Sequence, residues 1–235
     1  MSIIWFSNCN YNIKNFVGGK NASLGELYSL SKKIGFSYSN GFALTTTLYD
    51  NFIKQNNLEK IIENEIVNKN FNNIQELNKL SIKIKNLILN GQFNINQERE
   101  IIENYKKLNS EVAVRSSAIA EDLPDASFAG QQDSFLNVSG SQNLINSIIK
   151  CYASLFNSRA ISYRKTHNIP FNQVKISVAI QKMVRSDLGS AGVAFSLDTE
   201  TGYNKAIVIN SSFGLGEMVV SGLVKPDEFI LDKRV

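Results

Sequence analysis

The amino-acid sequence predicts a protein of mixed helix and sheet, in the α/β or α+β class, and a contrast along the chain supports this. Residues 51–109 are rich in Asn, Lys, Ile and Glu, and their apolar side chains recur at helical spacing. From residue 111 onward, short β-type runs are separated by turns. We therefore expect two parts, residues 1–110 with a helical section and residues 111–235.

Helical periodicity is clearest in the Asn-rich section. We expect two or three amphipathic helices there, interrupted at Asn90–Gly91, because an Asn-Gly pair favours a turn. A further long helix is predicted over residues 142–166. The apolar side chains that mark the two helical faces are Leu77, Leu80, Ile84, Leu87 and Ile88 in the first region and Ile145, Ile148, Ile149, Tyr152 and Leu155 in the second.

Strands are predicted where β-type runs occur in the second part of the chain. The chain stops four residues after the last of these runs, with no closing helix or polar tail. We therefore expect the domain to be truncated at its C-terminal end. The predicted strands cover residues 112–115, 134–138, 174–180, 191–196, 206–210 and 228–231.

The composition argues against several classes of partner. The net charge is +4, from 25 basic and 21 acidic side chains, and no basic run stands out, so no nucleic-acid partner is expected. No stretch approaches the ~20 apolar residues of a membrane helix, so no membrane partner is expected either. Cys9 and Cys151 lie far apart in no metal-type spacing, which fits a cytoplasmic protein without a zinc site.

The first motif with chemical meaning is residues 17–27, Val-Gly-Gly-Lys-Asn-Ala-Ser-Leu-Gly-Glu-Leu. Its two glycines allow a tight turn, and Lys20 follows at an expected helix start, where N–H groups and the helix dipole favour anions. The segment is not a Walker A loop, because Asn21 stands where that loop has Ser or Thr. A phosphate-binding role for Lys20 is one interpretation, and an exposed lysine at a turn is the plainer one.

The second motif covers residues 112–138 and begins with a short strand. Alternation along that strand places Arg115 on the face opposite to Val114. An arginine that ends an apolar strand is suited to bidentate binding of phosphate oxygens. The alternative is a salt bridge with a nearby carboxylate such as Glu121 or Asp122.

Two glycine-containing loops could approach a nucleotide closely. In residues 126–134, small side chains around Gly130 would let backbone N–H groups meet a polyphosphate, and Ser134 offers a hydroxyl. Residues 212–217 combine glycines with an acidic neighbour, which suits a loop near a Mg-nucleotide. Both loops are also compatible with ordinary tight turns.

The third motif, residues 178–184, is a strand that runs into a linker. The backbone N–H and C=O groups at such a place can hydrogen-bond the edge of an adenine ring. Met183 and Val184 would give the ring apolar contacts. A core strand with methionine as a filler is the alternative.

Together, these segments resemble the N-terminal nucleotide-binding domain of the phosphoenolpyruvate synthase (pyruvate, water dikinase) family. The likeness covers nearly the whole chain and is weakest in the Asn-rich section. It implies an ATP-grasp fold that holds the nucleotide between two subdomains, with residues 1–110 forming the first and residues 111–235 an incomplete second. The segments that carry the resemblance are residues 17–27, 112–138, 151–164, 181–202 and 214–229.

The resemblance also implies seven ATP-binding residues. Their types suit phosphoryl transfer, which depends on positioning and on neutralising negative charge. The phosphate-binding cations are matched by Lys20 and Arg115, the loop over the phosphates by Gly130 and Ser134, and the hinge and adenine contacts by Gln181, Met183 and Val184.

The activity implied for the complete enzyme is a relay that uses ATP and Mg²⁺. A histidine carries the phosphoryl group to pyruvate, which becomes phosphoenolpyruvate with release of AMP and phosphate, in gluconeogenesis. The family's phosphohistidine and pyruvate-binding barrel lie in domains expected to be absent here, and its acidic metal ligand is expected beyond Val235. His167, the single histidine, is predicted to be a surface residue. We thus expect no catalytic residue in this chain, inactivity of the chain alone, and a complete enzyme that is a homodimer.

Two alternatives remain beside the synthase. A rifamycin phosphotransferase would use the same ATP domain and relay, although the run Lys20–Ser23 favours the synthase. A non-catalytic nucleotide-binding fragment is the other alternative. Pyruvate, phosphate dikinase is disfavoured, because its counterpart of residues 125–133 is rich in Met and Gly.

Overall fold

The computed structural model describes residues 1–67, 73–119, 122–123, 126–127, 133–167 and 169–234. They divide into two units, residues 1–183 and residues 184–235. The boundary expected between residues 110 and 111 falls inside the first unit, whose main sheet takes strands from both sides of it. The assignment of two ATP-grasp subdomains stays a prediction.

An antiparallel sheet of five strands forms the centre of the first unit, in the order β1-β2-β7-β3-β6. The strand predicted over residues 112–115 is longer than expected, and the strands predicted over residues 134–138 and 174–180 are both present. A separate pair of short strands, β4 and β5, follows β3. The strands of this unit are β1 Ile3–Trp5, β2 Gly41–Leu44, β3 Val112–Ala118, β4 Asp122–Leu123, β5 Ala126–Ser127, β6 Ser134–Val138 and β7 Ile176–Lys182.

Seven helices of the described chain belong to the first unit. Four of them, α2 to α5, lie between residues 46 and 108, where the sequence predicted two or three. The break at Asn90–Gly91 is present, and Asn94 then begins α5 with a reciprocal capping box to Gln97. The helices are α1 Lys14–Ile34, α2 Thr46–Gln55, α3 Leu58–Val67, α4 Ile74–Leu89, α5 Ile95–Leu108, α6 Ser141–Ser154 and α7 Ser158–Thr166.

The single helix predicted over residues 142–166 is wrong, because the structure breaks it between α6 and α7. Leu155 and Phe156 occupy the turn and are buried, so the apolar spacing continues through a segment that is not helical. The hydroxyl of Ser81, on α4, donates to the carbonyl oxygen of Phe156 at 2.6 Å. This bond ties α4 to the turn between α6 and α7.

The two faces of the five-stranded sheet carry different side chains. One face presents large aliphatic residues such as Val114, Val178 and Ile180, which join the main hydrophobic core with residues of α2 to α7. The opposite face presents small residues such as Ala43 and Ala179, which belong to a second, smaller cluster with residues of α1. The helices of the Asn-rich section therefore help to build the main core.

The second unit contains a three-stranded antiparallel sheet in the order β10-β9-β8. The three strands predicted after residue 190 are confirmed, with ends shifted by up to three residues. Its elements are β8 Ser190–Phe195, β9 Ala206–Phe213, α8 Gly216–Val220 and β10 Asp227–Asp232. In either unit, no described helix combines the length and apolar character needed to cross a membrane.

Candidate functional site

Helix α1 is interrupted at Gly18, whose φ of 75° and ψ of 166° are not helical. The helix restarts at Gly19, so Lys20 lies in the first turn of the new segment. A Cβ atom at Gly18 would lie 2.3 Å from Ser117 Oγ and 2.4 Å from the Ser117 carbonyl oxygen. Only glycine therefore allows both this backbone conformation and this close approach of α1 to β3.

Asn21 connects the restarted helix to the sheet through hydrogen bonds. Its side chain is fully buried, and its Nδ2 donates to the carbonyl oxygen of Val17 at 2.9 Å and to Ser177 Oγ at 2.9 Å. Its backbone N–H donates to Ser117 Oγ at 3.4 Å, and Ser177 Oγ in turn donates to the Leu44 carbonyl oxygen at 2.6 Å. These bonds join α1 to β3, β7 and β2. No local sequence pattern marks Asn21 for this role, because its partners lie 96 and 156 residues away.

Arg115 is the one exposed residue of β3, which is otherwise buried along its length. It lies opposite Ser134 of β6 and Ala179 of β7. The expectation that Arg115 ends its strand is wrong, because β3 continues to Ala118. Its side chain therefore starts from a backbone that is paired on both sides, and its base is held more firmly than at a strand end.

A single cavity of about 540 Å³ brings Lys20 and Arg115 together. This volume falls within the range of about 300–1,000 Å³ that is usual for small-molecule sites. Among the described residues that line it, every charged one is a cation. We call it the α1–β3 cavity; its described lining residues are Tyr11, Lys14, Gly19, Lys20, Ser23, Leu24, Leu27 and Arg115.

Ser134 and Gly130 were predicted to belong to a loop over the phosphates. Ser134 is exposed as the first residue of β6, directly opposite Arg115 in register. Ser134 therefore lies on the strand next to the one that carries Arg115. Gly130 lies outside the described residues. A phosphate-covering role for either residue stays a prediction.

Gln181 lies on the same face of the sheet as Arg115. It is half-buried and pairs with Ala113 on β3 and with Gly41 on β2. The Arg115–Ala179 pair follows two residues along, and alternate residues of a strand share a face. Gln181 Nε2 donates to the Ser39 carbonyl oxygen at 3.4 Å, so this amide already has one protein partner.

The backbone beside the expected adenine site is largely engaged. The N–H of Met183 donates to the Glu111 carbonyl oxygen at 2.9 Å, and the N–H of Lys182 donates to the Asn40 carbonyl oxygen at 2.9 Å. These two N–H groups are therefore not free to read an adenine edge, contrary to our expectation for this strand end. Met183 is half-buried, whereas Val184, the first residue of the second unit, is 63% exposed.

The electrostatics around Lys20 extend to Cys151. Burial raises the pKa of the Cys151 thiol well above its usual range, the charge of Asp133 raises it further, and the positive charge of Lys20 lowers it. The thiol donates weakly to the Asp133 carbonyl oxygen at 3.8 Å. This raised pKa favours the protonated thiol near neutral pH, which is the less nucleophilic form.

The chemistry of the α1–β3 cavity suits an anion. Within the described parts of the chain, no group of three or more His, Cys, Asp or Glu side chains could hold a metal ion. Lysine, arginine and the N–H groups of a helix start are the groups that proteins use to bind phosphate oxygens. The fold and this cavity together define a mixed helix–sheet protein with a cation-lined cavity on one face of its main sheet.

Comparison with known proteins names the family. The family model described as pyruvate phosphate dikinase, AMP/ATP-binding domain, matches residues 14–235. The chain belongs to this family.

Several curated relatives are similar to the chain over nearly its full length. The chain is 43% identical to the phosphoenolpyruvate synthase of Escherichia coli K12 over 236 residues, which cover 98% of the chain and 30% of the relative. It is 45% identical to that of Helicobacter pylori, covering 98% and 29%, and 41% identical to a probable phosphoenolpyruvate synthase of Staphylothermus marinus, covering 99% and 28%. The chain therefore spans less than a third of the length of these relatives. The resemblance drawn from the motifs is confirmed.

Proposed function

We propose that this chain binds ATP, with its phosphates in the α1–β3 cavity, as the nucleotide-binding part of a phosphoenolpyruvate synthase. The observation that carries the proposal is the meeting of Lys20 and Arg115, from elements far apart in sequence, in one cavity with only cationic charges among its described lining residues. Membership of the AMP/ATP-binding family supports a nucleotide as the ligand. The overall arrangement that we propose is an ATP-grasp fold.

Each cation has a distinct part in this binding. Lys20 presents a point charge beside the N–H groups of a helix start, which attract phosphate oxygens. Arg115 presents a planar fork that can bind two oxygens of one phosphate. Ser134, opposite Arg115, and Gly130 complete the expected phosphate contacts, while Gln181, Met183 and Val184 are the expected contacts of the hinge and adenine.

Mg²⁺ is proposed to arrive with the nucleotide. Protein-bound Mg²⁺ is often held by substrate phosphates and one or two carboxylates rather than by an all-protein cage. When bound, the ion would neutralise phosphate charge during phosphoryl transfer. The described lining of the α1–β3 cavity offers cations to the phosphate oxygens that the ion leaves uncovered.

The proposed activity of the complete enzyme is conversion of pyruvate to phosphoenolpyruvate, with release of AMP and phosphate, through a phosphohistidine. His167 does not fit that role. Its Nδ1 lies 3.0 Å from the Tyr163 carbonyl oxygen, and its ring stacks on Tyr163 with 4.0 Å between centroids. Both contacts hold the His167 ring against Tyr163 at the C-terminal end of α7. A cytoplasmic location and a homodimeric complete enzyme stay predictions.

The proposed site can be tested by calorimetric titration of the 235-residue chain with Mg-ATP. Lys20→Ala and Arg115→Ala should each weaken binding about tenfold or more, because each loses a charge-assisted hydrogen bond to phosphate. Lys33→Ala, at the far end of α1, and Arg99→Ala, on α5, remove matched exposed charges and should change the affinity less than about twofold. Equal affinities for all five proteins would refute the site.

A second experiment addresses the relay. The chain is incubated with ATP labelled in its β- or γ-phosphate, and acid-labile phosphoprotein is measured together with pyruvate-dependent turnover. We expect neither label on His167 nor formation of phosphoenolpyruvate by this chain alone. Histidine phosphorylation that disappears in His167→Asn would contradict this part of the proposal.

A further inference from the structure

The α1–β3 cavity contains a third cation, Lys14, to which neither the motifs nor the family resemblance assigns a role. We propose that Lys14 is a specificity-determining residue that contacts the terminal phosphates and makes the cavity favour ATP over ADP and ADP over AMP. This inference rests on the proposed function, since it assigns a further contact within the same site.

The break at Gly18 is what brings Lys14 and Lys20 to one cavity. In an unbroken α-helix, residues six positions apart differ by about 120° in direction and about 9 Å along the axis. Lys14 and Lys20 would then face different surroundings. Because the backbone at Gly18 leaves the helical conformation, both residues line the same cavity with Arg115.

The segment that carries Lys14 is anchored on the side that precedes it. A short 3₁₀ turn, Tyr11–Ile13, ends at Lys14, and the side chain of Asn10 accepts from the N–H of Asn12 at 3.0 Å. The Tyr11 hydroxyl lies 2.8 Å from Ser23 Oγ, one turn beyond Lys20. The backbone that precedes Lys14 is thus tied to the helical segment that carries Lys20.

The position of Lys14 is unfavourable for the helix itself. The first turn of a helix favours acidic side chains, because the dipole leaves a partial positive charge there. The first turn of α1 contains no acidic residue and begins with Lys14. A cation in this place does not stabilise the helix, whereas it suits an anionic ligand.

The test compares dissociation constants of AMP, ADP and ATP, with excess Mg²⁺, for the wild type, Lys14→Ala, Lys14→Arg and Lys33→Ala. Lys14→Ala should weaken the binding of ATP about fivefold and that of ADP less, because the lost interaction grows with phosphate charge. The dissociation constant of AMP should be unchanged within error. Lys14→Arg should stay within about twofold of the wild type for each nucleotide. Lys33 is a matched lysine about 20 Å along the helix from Lys20, beyond the screening length at physiological salt, and its removal should have no effect.

Thermal unfolding separates this role from a structural one. Lys14→Ala should change the melting temperature by no more than about 4 °C, because the ion contacts of a partly exposed lysine contribute about 1 kcal/mol or less. A larger fall in melting temperature, or an equal loss for AMP, ADP and ATP, would overturn the proposal. If Lys20→Ala weakens ATP and Lys14→Ala does not, only this inference fails. If the wild type binds none of the nucleotides, the proposed function fails as well.

Discussion

The two faces of the five-stranded sheet differ in side-chain size and in what covers them. On one face, which we call the core face, Val114 and Ile180 are fully buried among side chains of several helices. On the opposite face, which we call the site face, Ala43 and Ala179 leave room for the backbone of α1 to approach the strands. Arg115, next to Val114 in sequence, reaches the cavity from this second face.

The difference shows how one strand can serve stability and binding at once. Large side chains on the core face bury apolar area, which is the main favourable contribution to folding. Small side chains on the site face bury less, but they let a helix start come close to the sheet. If the two faces act independently, substitutions on one should lower stability and substitutions on the other should weaken binding.

The largest effect is expected at Gly18, where α1 meets the site face. Gly18→Ala should lower the free energy of unfolding by about 3–5 kcal/mol, because the new Cβ collides with the backbone of Ser117 and the positive φ is strained. Urea unfolding measures the loss. Gly35→Ala is the matched control, with a φ of 81° and no atom within 4 Å of the added Cβ, and should cost only about 1–2 kcal/mol. Equal losses would show that the contact with Ser117 is unimportant.

A pair of adjacent substitutions in β3 separates the faces directly. Val114→Ala should lower the free energy of unfolding by about 2 kcal/mol through the cavity that it leaves, with an unchanged Kd for ATP. Arg115→Ala should change stability by less than about 0.5 kcal/mol while it weakens ATP. Unfolding and titration of both variants give all four values. A loss of ATP affinity in Val114→Ala, at a temperature where it is folded, would mean that the faces are coupled.

A smaller effect is expected at Asn21. Asn21→Ala removes donors to Val17 and Ser177 in a buried place, which should cost about 1–2 kcal/mol, and it should also weaken ATP because Lys20 is the neighbouring residue. Asn143→Ala is the matched control, since its Nδ2 also donates to a carbonyl oxygen, that of Ser139, at 2.9 Å, but on the surface. If the two variants were equally stable, the buried bonds would contribute nothing.

The last effect is absent at neutral pH and concerns Cys9, which is buried in the small cluster of the site face. Burial raises the pKa of its thiol to about 12 from 9.0. Between these values the unfolded chain binds fewer protons than the folded chain, so this contribution to stability is complete below pH 9 and falls as pH rises toward 12. The stability difference between wild type and Cys9→Ala, measured by urea unfolding from pH 8 to 10.5 with reductant, should therefore decrease with pH. A constant difference would contradict the assigned burial.

Local patterns predicted much of this fold. The β-type run Ser134–Val138 is a strand as expected, and the spacing of Ile84 and Ile88 marks a buried helical face. The break after Ser154 could not be predicted in this way, because apolar spacing continues through it. A hydroxyl 75 residues earlier in the chain, that of Ser81, bonds to the carbonyl oxygen at the break.

Local patterns predicted the parts of the site, and only the family resemblance implied that they belong to one site. Alternation correctly set Arg115 on the face opposite to Val114, and the glycine pair correctly marked a change of direction before Lys20. Their meeting in one cavity depends on the packing of α1 against β3, a long-range contact that no local pattern contains. Lys14 went unnoticed for the same reason: it precedes the motif of residues 17–27, and the packing of α1 against β3 brings it to the cavity.

The contacts that join α1 to the sheet affect the thermodynamics of ligand binding. Since Asn21 and the contact at Gly18 already fix the backbone of α1 against the sheet, a ligand orders mainly side-chain rotamers in the part of the cavity wall that the structure describes. That entropy loss is about 0.5–1.5 kcal/mol for each long side chain, far less than the ordering of a loop requires. The described wall of the cavity is thus preorganised, and most of the electrostatic attraction that it offers remains available as affinity.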